Sequence, residues 1–285
     1  MEAHDEGRHE GLGRCYPAVI SEWIVIAGSG SQPQLKSSEV NRRLLTHSRW
    51  SPIFVGKRIL LRISFLISMF LVVQAYGQEP SVCYGTTSNG RLENGWKLPA
   101  SGSNYSAHWA VGRIAGRSYV HSTVHSVVID AYAQLEKVLP EKVFVYGETG
   151  WKDGGQFKPH KTHRNGLSVD FMVPVLNKDG ESVELPSSIL NKWGYDLEFD
   201  SKGKLDELTI DFEAVAEHIY QLDVSAKRHG IGIWRVILDP KLQPFLHSSP
   251  RWPYLKENVE FSTRRSWVRH DDHYHVDFDV PCKPL

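Results

Sequence analysis

The sequence predicts an α+β domain in which helices pack on a small antiparallel sheet. Two segments carry apolar residues at helical spacing, and four others show the β-branched, aromatic or alternating composition of strands. These elements alternate only loosely along the chain, and two of the strands lie in its last sixty residues. This order favours helices grouped on a small sheet.

The two predicted helices have clear boundaries. The first spans residues 121–139, where the apolar positions fall on one face and a proline follows. The second, residues 211–229, is the clearest helix of the chain. Thr209 or Asp211 can cap its start, and Gly230 follows at the position where a left-handed residue ends a helix.

Four strands are predicted, at residues 142–148, 167–173, 231–238 and 273–280. The connecting segments are richer in Gly, Ser, Asn and Pro. They are predicted to be an irregular lead-in at 84–106, a loop at 150–166, a hairpin-prone insert at 177–180 and a turn-rich stretch at 186–203.

The beginning of the chain resembles a secretory signal placed after an upstream extension. Three basic residues precede a short apolar run at 63–73, and small residues spaced two apart follow it. We therefore expect residues 55–77 to be a signal peptide, too short in its apolar part for a comfortable membrane span. Residues 1–54 are expected to be a non-native upstream extension, with translation starting near Val55, and residues 78–285 to be the mature domain.

Charge and cysteine content fit an exported protein. Nine of the 33 basic and six of the 33 acidic residues precede residue 78, which leaves 24 basic against 27 acidic residues. No basic block remains to bind nucleic acid. Cys15 lies in the upstream extension, so Cys83 and Cys282 form an even pair that can make a disulfide in an oxidising compartment.

Two histidine clusters, about a hundred residues apart, carry the functional signal. They comprise His160, His163 and Asp170 in the first and His270, His273 and His275 in the second. Imidazole nitrogen and carboxylate oxygen are the ligands that zinc prefers. Ligation by His163, Asp170 and His275 would leave a fourth position for water, which is typical of a catalytic metal site.

Strand alternation places these residues on shared faces. In the last strand the apolar residues alternate with His273 and His275, so that both histidines point to the same side of the sheet. In the strand 167–173 Asp170 faces away from the apolar side. The Asn165-Gly166 turn lets the preceding loop fold back, so that His163 can meet Asp170.

These motifs resemble those of the penicillin-insensitive murein endopeptidases, within the LAS group of zinc metallopeptidases. In that group an H-x6-D pair and the last histidine of an H-x-H motif hold Zn²⁺. The resemblance implies His163, Asp170 and His275 as zinc ligands, His273 as the catalytic base, and the group's α+β core as the fold. It covers most of residues 83–282, although known members carry more cysteines.

The flanking histidines and the segment 88–94 also resemble the endopeptidase branch. His270 is placed to hydrogen-bond a developing oxyanion or to orient a ligand. His160 can bind a second metal or support the site, or it is simply an exposed loop histidine. Glu148, at a strand end, is the rival base or a partner of a histidine.

The resemblance implies a periplasmic enzyme that cleaves peptidoglycan cross-links between D-alanine and meso-diaminopimelate. A D,D- or L,D-carboxypeptidase of the same group is the first alternative. A catalytically silent zinc-binding module that recognises the cell wall is the second. Four aromatic residues can line a substrate groove or belong to the core: Trp151, Trp193, Tyr195 and Trp234.

Overall fold

The computed structural model describes residues 78–264, 266 and 268–285, so the predicted extension and signal peptide lie outside the described residues. The strands β1 to β13 are, in chain order, Val82–Thr86, Asn89–Glu93, Trp96–Lys97, Tyr105–Ala107, Tyr119–Val120, Phe144–Tyr146, Ser168–Met172, Val175–Leu176, Ser182–Val183, Lys204–Leu205, Leu208–Ile210, Gly232–Ile237 and His273–Asp279. The helices α1 to α4 are Ala110–Ile114, Ser122–Val138, Phe212–Arg228 and Trp252–Asn258.

A five-stranded sheet in the order β12-β13-β7-β6-β4 forms the centre of the domain. The pairs from β12 to β6 are antiparallel, as predicted, whereas β4 joins the edge of the sheet parallel to β6. All four predicted strands belong to this sheet. The pairing of β7 with β13 sets His275 opposite Asp170 and joins the two histidine clusters.

Both predicted helices form and pack on the apolar face of the sheet. The apolar face of α2 is fully buried from Val124 to Leu135, whereas Val138 at its end is 47% exposed. Tyr132 of α2 and His218 of α3 both contact the ring of Phe171 in β7. Asp211 is the cap of α3, because its side chain accepts a hydrogen bond from the Ala214 amide at 3.0 Å. The helices thereby cover one face of the sheet and leave the other for the polar residues.

The lead-in at 84–106 is more regular than the sequence predicts. Strands β1 and β2 form an antiparallel hairpin, and β3 and β4 follow. Cys83 and Leu92, cross-strand partners that are both 2% exposed, supply its buried side. So few apolar residues among Gly, Ser and Asn give too weak an alternation to detect. The short helix α4 was also not predicted, whereas the insert at 177–180 forms the expected hairpin between β8 and β9.

Two contacts join the beginning and the end of the described chain. Cys83 and Cys282 form a disulfide with a Cα–Cα distance of 4.8 Å, which confirms the predicted pair. Next to it, the Gly85 amide donates to the Lys283 carbonyl, so the hairpin is held against the C-terminal segment. Among the described residues, no helix is long and apolar enough to cross a membrane.

Candidate metal centre and active-site cleft

A cleft of about 820 Å³ opens over the polar face of β7, β12 and β13. Five of the six residues singled out in the two clusters line it, and the sixth, His163, is fully buried beneath them. The residues that line the cleft include His108, Trp109, Arg117, Glu148, His160, Asp170, Trp193, Tyr195, His270, His273 and His275. The fold therefore brings both sequence clusters into one site.

The first cluster provides a set of atoms suited to a metal ion. One ligand atom each from His160, His163 and Asp170 lies within 4.8 Å of the others. His163 Nδ1 is 2.8 Å from the Thr149 carbonyl, which can only accept, so Nδ1 carries the proton and Nε2 a lone pair. That Nε2 is buried with no hydrogen-bond partner among the described residues. A buried lone pair beside a carboxylate fits a metal ligand.

His275 joins this set through Asp170. Its Nδ1 lies 2.8 Å from Asp170 Oδ1, and its Nε2 lies 2.9 Å from Asp277 Oδ1. Burial disfavours the charged imidazolium, but the carboxylates of Asp277 and Asp170 outweigh it and raise the pKa of His275 to about 10. In this cationic form both ring nitrogens carry protons, and Nε2–H donates to Asp277. Nδ1, which lies against Asp170, is therefore the nitrogen on which a metal ion would replace a proton.

The Asp170 carboxyl group is ionised although it is fully buried. Burial by itself would raise its pKa, but His163 and His273 reverse the effect and hold the pKa well below its usual range. Burial lowers the pKa of His163, and the Asp170 carboxylate opposes this shift. An ionised carboxylate and a neutral imidazole are the protonation states that metal binding requires.

Glu148 acts as a partner of His160. His160 Nε2 lies 2.5 Å from Glu148 Oε2, and the Arg117 guanidinium makes two hydrogen bonds to the same carboxylate. Burial opposes ionisation, but His160 and Arg117 lower the pKa of Glu148 to about 2. Since both oxygens are occupied and the basicity is low, this geometry argues against Glu148 as the base.

His273 has the arrangement of an oriented histidine. Its Nδ1 contacts Asp272 Oδ1, and the ring is 2% exposed on the floor of the cleft. Burial opposes protonation, but Asp272 and Asp170 more than compensate and raise the pKa of His273. The Asp272 contact fixes the ring and leaves Nε2 to exchange a proton.

His270 lies beside His273, with ring centroids 4.6 Å apart. Its Nδ1 donates to the Val268 carbonyl at 3.0 Å, and burial together with His273 and His275 lowers its pKa to about 3. Neutral His270 therefore presents an unprotonated Nε2, which can accept a hydrogen bond or bind a cation. This tautomer favours a role in orienting a ligand over donation to an oxyanion.

A family model described as penicillin-insensitive murein endopeptidase matches residues 83–284. This range includes every described residue of the cleft. The chain belongs to this family of murein endopeptidases. A search of curated proteins found no match. The family and the Cys83–Cys282 disulfide together indicate an extracytoplasmic metallopeptidase.

Two histidines of this murein endopeptidase have a positive backbone φ angle, which residues other than glycine rarely adopt. His163 and His270 have φ values of 65° and 58°. Such residues concentrate at functional sites, where the surrounding structure maintains them against the conformational cost. Here the conformations let two loops turn their imidazoles into the cleft.

Aromatic residues form one wall of the endopeptidase cleft. Trp193 and Tyr195, two of the four aromatics predicted for a groove, line it, whereas Trp151 and Trp234 are not among its lining residues. Trp193 stacks on Trp109 with ring centroids 4.2 Å apart. The aromatic pair closes the side of the cleft formed by the segment before α1 and the segment after β9.

Three residues that line the cleft could not be predicted from the sequence. Trp109 and Arg117 are isolated in the chain, and His108 belongs to neither histidine cluster. The His108 ring lies 5.3 Å from that of Tyr195, and burial lowers its pKa to about 4. Only the parallel pairing of β4 with β6 brings this segment to the cleft.

Proposed function

We propose that the protein is a zinc-dependent periplasmic endopeptidase that hydrolyses the D-alanyl–meso-diaminopimelyl cross-links of peptidoglycan. The observation that supports it most strongly is the unpaired, buried Nε2 of His163 beside Asp170, at the base of a peptide-sized cleft. In a chain of the murein endopeptidase family, this arrangement is best explained as a catalytic metal site.

The chain offers His163 Nε2, Asp170 Oδ1 and His275 Nδ1 as the metal ligands. Zinc in such a site supplies Lewis acidity, which polarises a carbonyl and lowers the pKa of water toward about 7. His160 stands beside the three and is tied to Glu148, so it can support the site or contribute a further ligand. Thr149 and Asp277 fix the tautomers of the two ligand histidines.

His273 is the proposed general base. Asp272 holds its Nδ1–H, so Nε2 can take a proton from the attacking water and deliver it to the leaving amine. Asp272 and Asp170 raise the pKa of His273, so the imidazolium formed when it takes the proton is stabilised until that proton passes to the leaving amine. His270 supports this exchange by presenting its Nε2 lone pair to the same part of the cleft.

The cleft suits an anionic, peptide-like substrate. Its lining includes five cationic side chains and two carboxylates: Arg117, Lys158, Lys161, Lys192 and Arg235, with Glu148 and Asp170. Three of the cations form ion pairs: Arg117 with Glu148, Lys192 with Asp196, and Arg235 with Asp277. Peptides of the cell wall carry free carboxylates, so their attraction to this surface is expected. Because the proposed reaction acylates no serine, penicillin would not inhibit it.

Digestion of purified sacculi tests this function. We expect the protein to convert cross-linked dimers to monomers, to stop when the metal is chelated, and to recover when zinc is restored. Mass spectrometry of the products distinguishes the alternatives. Loss of a terminal D-alanine without loss of dimers would indicate a carboxypeptidase, and unchanged sacculi with zinc bound would indicate a silent binding module.

A further inference from the structure

We propose that Tyr195 is a positioning residue that holds Asp170 in the orientation needed for metal binding. The inference rests on the proposed function, because it takes Asp170 to be a ligand. Tyr195 comes from the turn-rich segment 186–203, which contains neither histidine cluster. It would make this segment part of the metal centre.

The hydroxyl of Tyr195 has two partners with opposite requirements. It lies 2.9 Å from the backbone nitrogen of Glu148, which can only donate, and 2.9 Å from Asp170 Oδ2. A phenol has one proton, so the hydroxyl must accept from the Glu148 amide and donate to Asp170. The donor and the acceptor of both hydrogen bonds are therefore determined.

This hydrogen bond gives the two Asp170 oxygens different partners. Oδ2 is occupied by Tyr195, whereas Oδ1 lies 2.8 Å from His275 Nδ1 and 3.3 Å from His163 Nε2. Oδ1 is thereby the oxygen directed at the ligand nitrogens.

The backbone leaves room for this hydroxyl at one glycine. A Cβ added at Gly147 would lie 2.5 Å from the Tyr195 hydroxyl oxygen and 3.1 Å from Asp170 Cβ. A side chain there would therefore displace the tyrosine or the ligand. Gly147 also donates its amide to the Asp170 carbonyl at 2.7 Å, so it holds the same strand from the other side.

Tyr195 follows a turn that hydrogen bonds to the Asn191 side chain stabilise. Asn191 Oδ1 accepts from the amides of Ser188 and Gly194, at 2.8 and 3.1 Å. Between them, Lys192 and Trp193 have left-handed φ values of 49° and 58°. The turn is further held by stacking of Trp193 on the wall of the cleft, so the tyrosine approaches Asp170 from a rigid support.

Zinc affinity of the variant Tyr195→Phe tests the proposal. The substitution removes the hydroxyl but keeps the ring, which contacts His273 with centroids 4.7 Å apart. We expect zinc, added as its chloride and measured by competition with a chromophoric chelator, to bind roughly 10- to 100-fold more weakly. At saturating zinc, KM should stay near the wild-type value and kcat should largely recover.

Tyr84→Phe is the matched control, because Tyr84 donates to Glu93 at 3.0 Å on the exposed hairpin β1–β2. It should bind zinc like the wild type. Wild-type zinc affinity in Tyr195→Phe would overturn the proposal, and so would a fall in kcat alone, which would place the hydroxyl on the substrate. Should Tyr195→Phe fail to fold, Asn191→Ala must weaken zinc binding, and unchanged affinity there would also refute it.

His163→Ala in the same assay separates this inference from the proposed function. If His163→Ala loses zinc and Tyr195→Phe keeps it, only the role of Tyr195 fails. If His163→Ala keeps wild-type affinity, the proposed metal centre itself fails.

Discussion

Asp170 and His275 are cross-strand partners in the pair β7–β13, and Asp170 Oδ1 lies 2.8 Å from His275 Nδ1. The two residues are 105 positions apart in the chain. The antiparallel register therefore brings together two of the three proposed ligands, and a slip of one residue in either strand would turn that strand's ligand to the apolar face. The central strands and the proposed chemistry depend on the same pairing.

Removing a proposed ligand should remove the metal. We expect His163→Ala and His275→Ala each to lose stoichiometric zinc and wall-degrading activity, because two remaining ligands hold zinc poorly. Zinc content by elemental analysis, together with sacculus digestion, measures both effects. His229→Ala is the control, since this histidine pairs with Asp130 on the surface. Full zinc content in both ligand variants would contradict the ligand assignment.

Removing the proposed base should separate metal binding from turnover. His273→Ala is expected to retain zinc and to lose about 10²- to 10⁴-fold in kcat, the usual contribution of a general base. Asp272→Asn should give a smaller loss, because it disturbs only the orientation of the ring. Cleavage rates on a purified cross-linked dimer measure these effects. Unchanged kcat in His273→Ala would refute its role.

The disulfide should contribute strongly to stability. Cys83 and Cys282 are 199 residues apart, and closing a loop of this size corresponds to about 5 kcal/mol in the chain-entropy model. We expect the double variant Cys83→Ser/Cys282→Ser to lose a large part of this free energy of unfolding in urea titrations. Reduction of the wild type should have the same effect, and an unchanged midpoint in both would contradict the prediction.

Acid should destabilise the protein through His218 on the apolar side of the sheet. Burial lowers the pKa of His218 to about 3, below its value near 6.5 in the unfolded chain. The unfolded state then binds more protons, so this contribution to stability is complete above about pH 6.5 and declines as the pH falls toward 3. Between pH 7 and pH 5 the loss from this residue is about 2 kcal/mol.

His218→Gln tests this linkage in urea titrations at both pH values. The variant should lose less stability on acidification than the wild type, by about the same 2 kcal/mol. His125→Gln is the comparison. Burial also lowers the pKa of His125, but this histidine is only half-buried, so its substitution should reduce the acid sensitivity less. Equal acid sensitivity of His218→Gln and the wild type would show that His218 does not carry this part of the pH dependence.

The sequence predicted the parts of the structure that depend on local pattern. The stripes of α2 and α3 and the alternation of β13 identified the core face, and the same alternation paired His273 with His275. The parts it missed depend on non-local contacts. The hairpin β1–β2 contains few apolar residues, and its regularity comes from pairing and from the disulfide.

The site was predictable only where its residues were clustered. Histidines two or three positions apart stand out in a sequence, whereas Tyr195 is one tyrosine in a turn-rich stretch. Its role arises because the hydroxyl meets Asp170, 25 residues earlier in the chain, through the clearance at Gly147. Likewise, Arg117 reaches Glu148 from 31 residues away. Such relationships require the folded chain.

The central claim is that His163, Asp170 and His275 together hold a catalytic zinc ion. A crystal structure of the zinc-loaded protein, with anomalous differences recorded at the zinc absorption edge, tests it most directly. We predict one strong peak in the cleft, about 2.0–2.2 Å from His163 Nε2, Asp170 Oδ1 and His275 Nδ1. A peak held by other residues, or none in an active sample, would contradict the account.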